Sequence, residues 1–132
     1  MHQTWQKNEN HYREAIGYMP EFSDMHRAMA ELCNWIGKSN LSASLFGGTS
    51  MHALLITQVE LENLNHPSIQ YLRIEPDFKT KKIEFRFLDT HLEERQWHRI
   101  EPPNSQRLIK RFIGFLKQVG WAYEIEGSRI QS

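Results

Sequence analysis

Three strand-like runs follow one another across short polar loops between residues 68 and 100. The middle run, 82–88, alternates between apolar and polar residues, which is the period of a strand with one buried face. Its apolar side consists of Ile83, Phe85 and Phe87, and its polar side of Glu84 and Arg86. The pattern therefore predicts an antiparallel meander with one face toward the core.

The polar side of this meander is the best candidate for a recognition surface. Pairing the first and middle runs so that their apolar residues share a side places Arg73 opposite Glu84. The same pairing places Tyr71 opposite Arg86. Opposite charges, and an arginine beside an aromatic ring, are favourable cross-strand pairs.

The third run, 95–100, leaves two pairings open, because a one-residue slip reverses every side chain. If Ile100 faces the core, Trp97 and Arg99 join the polar side. In the opposite pairing Trp97 points inward and His98 outward. Under the first pairing, the candidate partner-binding residues are Tyr71, Arg73, Glu84, Arg86, Trp97 and Arg99.

Two helical patterns precede the sheet. The first covers about residues 10–18 and is stopped by Pro20, which cannot continue a helix. The second has Ser23 as its N-cap and Gly37 as its C-terminal stop. Its apolar stripe recurs at helical spacing and consists of Met25, Ala28, Met29, Leu32, Cys33 and Ile36.

A third helix follows the sheet, with Asn104 or Ser105 as its cap and Gly120 as its stop. One side of this segment is broadly apolar. The other side carries Arg107, Lys110, Arg111 and Lys117. A basic stripe of this kind is typical of the solvated face of an amphipathic helix.

The fold class follows from the order of these elements. Residues 41–59 read as a hairpin of two runs, 41–46 and 51–59, joined at residues 47–50, since glycine permits the positive φ of such turns. Residues 51–56 could also be helical by propensity, but the preceding glycines and the following Thr57 and Val59 favour a strand. We therefore predict an α+β fold, with an antiparallel sheet of about five strands formed by the hairpin 41–59 and the meander 68–100. The N-terminal helices and the C-terminal helix pack on one face. The chain 1–132 is one domain, with 1–9 and 127–132 loosely ordered.

Composition narrows the environment and the partners. Lys plus Arg number 16 and Asp plus Glu number 16, so no net positive field favours nucleic acid or anionic membranes. Neither a signal sequence nor a long apolar segment is present, so no membrane partner is expected. The single cysteine, Cys33, agrees with a reducing compartment, and we expect a cytoplasmic protein.

Motifs for catalysis, cofactors or metals are weak. The seven histidines include no pair at metal-binding spacing, so neither a metal site nor a cofactor is predicted. The segment around Ser50 lacks the lysine of a phosphate-binding loop and the flanking glycines of a nucleophile elbow. On the apolar stripe, Cys33 fits a buried small hydrophobe better than a reactive thiol.

Three functional hypotheses remain. The first is a non-catalytic module that binds a protein partner or a second copy of itself through the sheet face or edge. The second is single-stranded nucleic-acid binding, with Tyr71 and Trp97 stacking on bases and the sheet arginines on phosphates. The third is a small enzyme whose site gathers distant residues such as His52, His98 and a carboxylate.

Overall fold

The computed structural model describes residues 3–59, 70–89 and 97–121. Two helices come first, followed by a hairpin, a three-strand meander and a last helix. The helices are α1 (Trp5–Tyr18), α2 (Ser23–Lys38) and α3 (Ser105–Val119). The strands are β1 (Phe46–Ser50), β2 (Ala53–Thr57), β3 (Gln70–Asp77), β4 (Lys82–Asp89) and β5 (Trp97–Glu101). They form one antiparallel sheet in the order β1-β2-β3-β4-β5, which confirms the predicted α+β architecture.

One face of the sheet packs against the helices. Helix α2 lies between α1 and α3, and its apolar stripe is fully or almost fully buried. The sheet contributes inward-facing residues that alternate along each strand, as the sequence predicts. These residues are Leu54, Ile56, Leu72, Ile74, Ile83, Phe85 and Phe87. On β3, β4 and β5 the face with the charged residues is turned away from this core, and we call this part of the sheet the open face. On the same side of β2, Ala53, Leu55 and Thr57 are buried.

Helix α1 begins at Trp5, earlier than the predicted start near residue 10. The Thr4 hydroxyl accepts a hydrogen bond from the Lys7 amide, which is a standard N-cap interaction. Trp5 is buried, and its indole nitrogen donates to the Leu45 carbonyl at 3.2 Å. This anchor orders a segment whose polar composition predicted a loose tail. Residues 127–132 lie outside the described part of the chain.

The glycines predicted to end α2 and to form the hairpin turn serve another purpose. Helix α2 continues past Gly37 to Lys38, and Gly47 lies within β1. Both approach Trp5: a Cβ at Gly37 would lie 2.9 Å from the tryptophan Cβ, and one at Gly47 2.6 Å from its ring. The hairpin turns instead at residues 51–52, where Met51 adopts a left-handed φ of 56°. The hairpin is thus confirmed, with a later turn and a first strand that begins at Phe46. The predicted first run, 41–46, is wrong over most of its length, because Asn40–Ala43 form a short 3-10 helix.

Replacing Gly47 by alanine should lower the free energy of unfolding by about 1–3 kcal/mol, because the added methyl overlaps the Trp5 ring. Gly114 in α3 is the matched control, since a Cβ there meets nothing within 4 Å. Gly114→Ala should stabilise the protein by about 0.5–1 kcal/mol through helix propensity. Urea unfolding of both variants measures this difference, and equal stabilities would contradict the close approach of Trp5.

Helix α3 has the predicted ends. The Asn104 side chain accepts a hydrogen bond from the Arg107 amide, and Gly120 ends the helix with a left-handed φ of 77°. Neither α3 nor any other helix in the described ranges is long and apolar enough to cross a membrane.

Candidate binding face of the sheet

The register of β3 and β4 differs from the predicted one by two residues. Arg73 lies opposite Arg86, whereas we predicted Glu84 there, and Tyr71 lies opposite Leu88 rather than Arg86. A two-residue shift preserves the face of every side chain, so the division into core and open faces is as predicted. The turn at residues 78–81 sets the register, where the Lys81 amide donates to the Asp77 carbonyl at 2.8 Å.

Trp97 faces the core, so the first of the two predicted β5 pairings is wrong. It lies opposite Phe87, and only 7% of its surface is exposed. Its ring packs against the rings of Phe85 and Phe115, and its indole nitrogen donates to the Gln118 side chain at 3.0 Å. Trp97 is therefore unavailable as a stacking platform on the open face.

His98 and Ile100 occupy the positions on the open face that the first pairing assigned to Trp97 and Arg99. His98 lies opposite Arg86, and Ile100 lies opposite Glu84. Ile100 is 57% exposed, which is unusual for a large apolar residue in a strand. The rejected pairing placed this residue in the core.

Arg99 lies at the outer edge of the sheet, on the same side of β5 as Trp97. Its guanidinium carbon is 4.9 Å from the centre of the Trp97 ring, a cation–π contact. Its Nη1 donates to the His98 carbonyl at 2.7 Å. A charged side chain folded along an edge strand discourages the addition of another strand, so Arg99 shields this edge.

The charged residues of the open face form two rows across the strands. Glu75 lies opposite Glu84 in an acidic row, and Arg73 lies opposite Arg86 in a basic row that His98 extends. Like charges directly opposite one another are unfavourable in a sheet. Each is neutralised by the neighbouring row, so the face carries alternating stripes of charge with little net charge.

Short polar contacts join the acidic row to the basic row. Arg73 donates to both oxygens of Glu75 at 3.2 and 3.1 Å, and these hydrogen bonds raise the pKa of Arg73. Arg86 donates to one oxygen of Glu84 at 3.0 Å. His98 Nε2 lies 3.1 Å from the other oxygen of Glu84. Their side chains are 25–48% exposed, so these pairs add little stability and remain accessible to a partner.

Apolar groups flank the charged rows. Ile100 lies at the β5 end of the acidic row, and Tyr71 and Leu88 form a half-buried pair beyond the basic row. Tyr71 also packs on the buried Leu55 and Ala53 of β2. The open face thus combines aromatic, aliphatic, arginine and carboxylate groups, the mixture that protein interfaces favour.

A second feature, which spacing in the sequence did not reveal, is a group of histidines near the β1–β2 turn. The ring centres of His26 and His52 are 5.9 Å apart, and both rings contact Phe78. Within the described ranges no group of three or more histidine, cysteine, aspartate or glutamate side chains is placed to hold a metal ion. His98 contacts Glu84 instead, so the structure does not bring together the His52 and His98 of the enzyme hypothesis.

His26 is fully buried, and desolvation lowers its pKa even though Nδ1 hydrogen-bonds to the Phe22 carbonyl at 3.1 Å. Its Nε2 and the Nδ1 of His52 are buried and have no hydrogen-bond partner among the described residues. Unpartnered buried nitrogens are rare in folded proteins. No motif in the sequence relates these two residues, which are brought together by the packing of α2 on the hairpin turn.

A cavity of about 360 Å³ lies between α1 and the C-terminal half of α2, with Cys33 among its lining residues. Burial raises the pKa of the Cys33 thiol, so the thiol stays protonated, in agreement with the predicted structural role. The Glu9 carboxylate at the cavity wall already accepts from Arg13 at 3.1 Å and Asn34 at 3.0 Å. Among the described residues that line the cavity, none therefore offers an unpaired carboxylate for acid–base chemistry.

Comparisons of the chain with protein-family models, with curated protein sequences and with solved structures found no match, so the candidate sites are argued from their geometry.

Proposed function

We propose that this protein is a homodimerising module in which two copies pack the open faces of their sheets together. The observation that carries this proposal is the pair of charged rows, acidic Glu75 and Glu84 beside basic Arg73 and Arg86. The chain has a formal net charge of zero at pH 7, so two copies do not repel each other at long range.

The arrangement of the rows makes the open face complementary to itself. A two-fold axis running parallel to the rows, between two facing sheets, lays the acidic row of each copy over the basic row of the other. Glu84 then meets Arg86 of the second copy, and Glu75 meets Arg73. Ile100 meets His98 at one end of the rows, which covers the exposed isoleucine. An interface of this kind is isologous, the commonest form among soluble oligomers.

The face is a better candidate than the sheet edge. Addition of a strand to β5 requires the Arg99 guanidinium, which also contacts the Trp97 ring, to leave the His98 carbonyl. Packing of the open faces leaves these contacts in place. Face-to-face association also covers the apolar residues Ile100, Leu88 and Tyr71, which a β5 edge contact leaves largely uncovered.

Complementary charge reversal tests this proposal. The first variant combines Glu75→Arg with Glu84→Arg, and the second combines Arg73→Glu with Arg86→Glu. In each variant both rows carry the same charge, so two copies repel each other across the interface. We therefore expect either variant alone to dimerise at least about a hundredfold more weakly than the wild type. Mixed together, the two variants should form a heterodimer. Sedimentation equilibrium and native mass spectrometry measure both results.

Two further variants distinguish a loss of interface contacts from a general effect of changed charge or of misfolding. Ile100→Asp should also weaken dimerisation without unfolding the protein, because Ile100 is largely exposed and lies outside the core cluster of the described residues. Lys110→Glu on the exposed side of α3 should leave dimerisation unchanged. A wild-type protein that stays monomeric at millimolar concentration would overturn the proposal. So would a failure of the two charge-reversed variants to associate when each is folded by circular dichroism.

A further inference from the structure

The paired histidines near the β1–β2 turn have an arrangement that suits a ligand. His26 comes from the first turns of α2 and His52 from the turn between β1 and β2. Each has a buried ring nitrogen with no hydrogen-bond partner in the described part of the chain, Nε2 in His26 and Nδ1 in His52. We propose that these two nitrogens form a binding site for a soft monovalent metal ion of the Cu(I) class.

The tautomer of His26 is the one that a metal ligand requires. The Phe22 carbonyl can only accept, so the hydrogen bond of 3.1 Å places a proton on Nδ1. Nε2 is then left with a free lone pair inside the protein. A histidine that binds a metal almost always donates a hydrogen bond from its other ring N–H in this way, because that hydrogen bond fixes both the tautomer and the orientation of the ring.

The spacing of the two rings fits a single shared ion. Imidazole nitrogens bind metals at about 2.0–2.1 Å, so two rings that share an ion have centres roughly 5–6.5 Å apart. The observed separation of His26 and His52 is 5.9 Å, with the ring planes tilted by 56°.

The side chains around His26 and His52 favour an ion that needs only two ligands. Zinc requires three or four protein ligands, and no group of three candidate ligands is present in the described ranges. The walls of the site are the aromatic rings of Tyr12 and Phe78. The Tyr12 hydroxyl donates to the His52 carbonyl at 2.9 Å. Filled-shell monovalent ions such as Cu(I) and Ag(I) accept two nitrogen ligands alone.

A soft donor also lies on the solvent side of the same turn. Met51 immediately precedes His52 and is 84% exposed. Thioethers bind Cu(I) well, so an exposed methionine next to the buried pair provides a first contact for an arriving ion. The nearby His11 is held by a hydrogen bond from its Nε2 to the Met51 carbonyl at 2.8 Å, which ties α1 to this turn.

Silver(I) is the probe for the test, because it shares the charge and filled shell of Cu(I) and is not oxidised by air. The experiment uses the full chain with Cys33→Ala, since the thiol would itself bind silver. Titration with silver nitrate in chloride-free buffer should show one ion per chain and should raise the thermal midpoint. Nitrogen chemical shifts of the His26 and His52 rings should change, and those of His98 should not.

Variants at the pair and at a distant histidine complete the test. His26→Phe or His52→Phe should weaken silver binding at least about tenfold, whereas His98→Gln should leave it unchanged. Zinc sulfate should leave the His26 and His52 resonances unchanged. Silver binding that leaves both resonances unshifted would overturn the proposal, as would zinc binding at this pair with equal affinity. Because the ring shifts are recorded with both histidines present, misfolding of a variant cannot hide either result.

Discussion

Replacing Trp97 by alanine should lower the free energy of unfolding by about 3–5 kcal/mol, as for other buried aromatic residues. Only 7% of the surface of Trp97 is exposed, and its indole packs between the sheet and α3. Its removal leaves a cavity beside Phe85 and Phe115 and leaves the Gln118 side chain without its 3.0 Å partner. Urea denaturation at one low protein concentration measures the change.

The matched control is the next residue along the same strand. The side chain of His98 is 48% exposed on the open face, and its contact with Glu84 is a surface pair. We expect His98→Ala to cost about 1 kcal/mol or less. If His98→Ala destabilises the protein more than Trp97→Ala, β5 is paired in the opposite register, and equal losses would contradict the burial of Trp97.

The face of each central strand could be predicted from the sequence, but the register could not. Alternation between Ile83 and Phe87 fixes which side of β4 is buried, and a slip by two residues leaves that side unchanged. Whether Arg73 meets Glu84 or Arg86 depends on the geometry of the turn at 78–81, which composition does not encode. The charged rows therefore emerge only from the structure.

The orientation of β5 depends on contacts distant in sequence. Trp97 and Ile100 are both large and apolar, and alternation places them on opposite faces of β5. Burial of either residue is therefore consistent with the local sequence. The structure buries Trp97 together with Glu101, whose carboxylate is paired with Arg107 and Arg111 from α3. From the sequence alone, these two arginines are predicted to lie on the solvated face of an amphipathic helix.

The histidine pair and the role of Gly37 and Gly47 were missed for a related reason. His26 and His52 belong to different elements, so the spacing rules for one helix or one strand do not apply to them. Gly37 and Gly47 look like a helix stop and a turn, because glycine is common at both. Their close approach to Trp5 becomes visible only when α1 is packed against α2 and β1.

The second large effect is expected at Glu101, whose side chain is only 4% exposed. Arg111 donates to one carboxylate oxygen at 2.6 Å, and Arg107 donates twice to the other at 3.3 Å. Replacing both arginines by alanine leaves a buried carboxylate without a counter-charge. We expect this double variant to lose about 3–5 kcal/mol of stability at pH 7.

Removing the carboxylate should do less harm than removing its partners. In Glu101→Leu the two arginines can turn to water, since Arg107 is 61% and Arg111 36% exposed. Adding Glu101→Leu to the double alanine variant should therefore restore most of the lost stability, because no unpaired charge remains buried. Urea unfolding of the single, double and triple variants completes a thermodynamic cycle. A triple variant no more stable than the double would mean that the arginines act through packing along α3, and that neutralising Glu101 is not their main contribution.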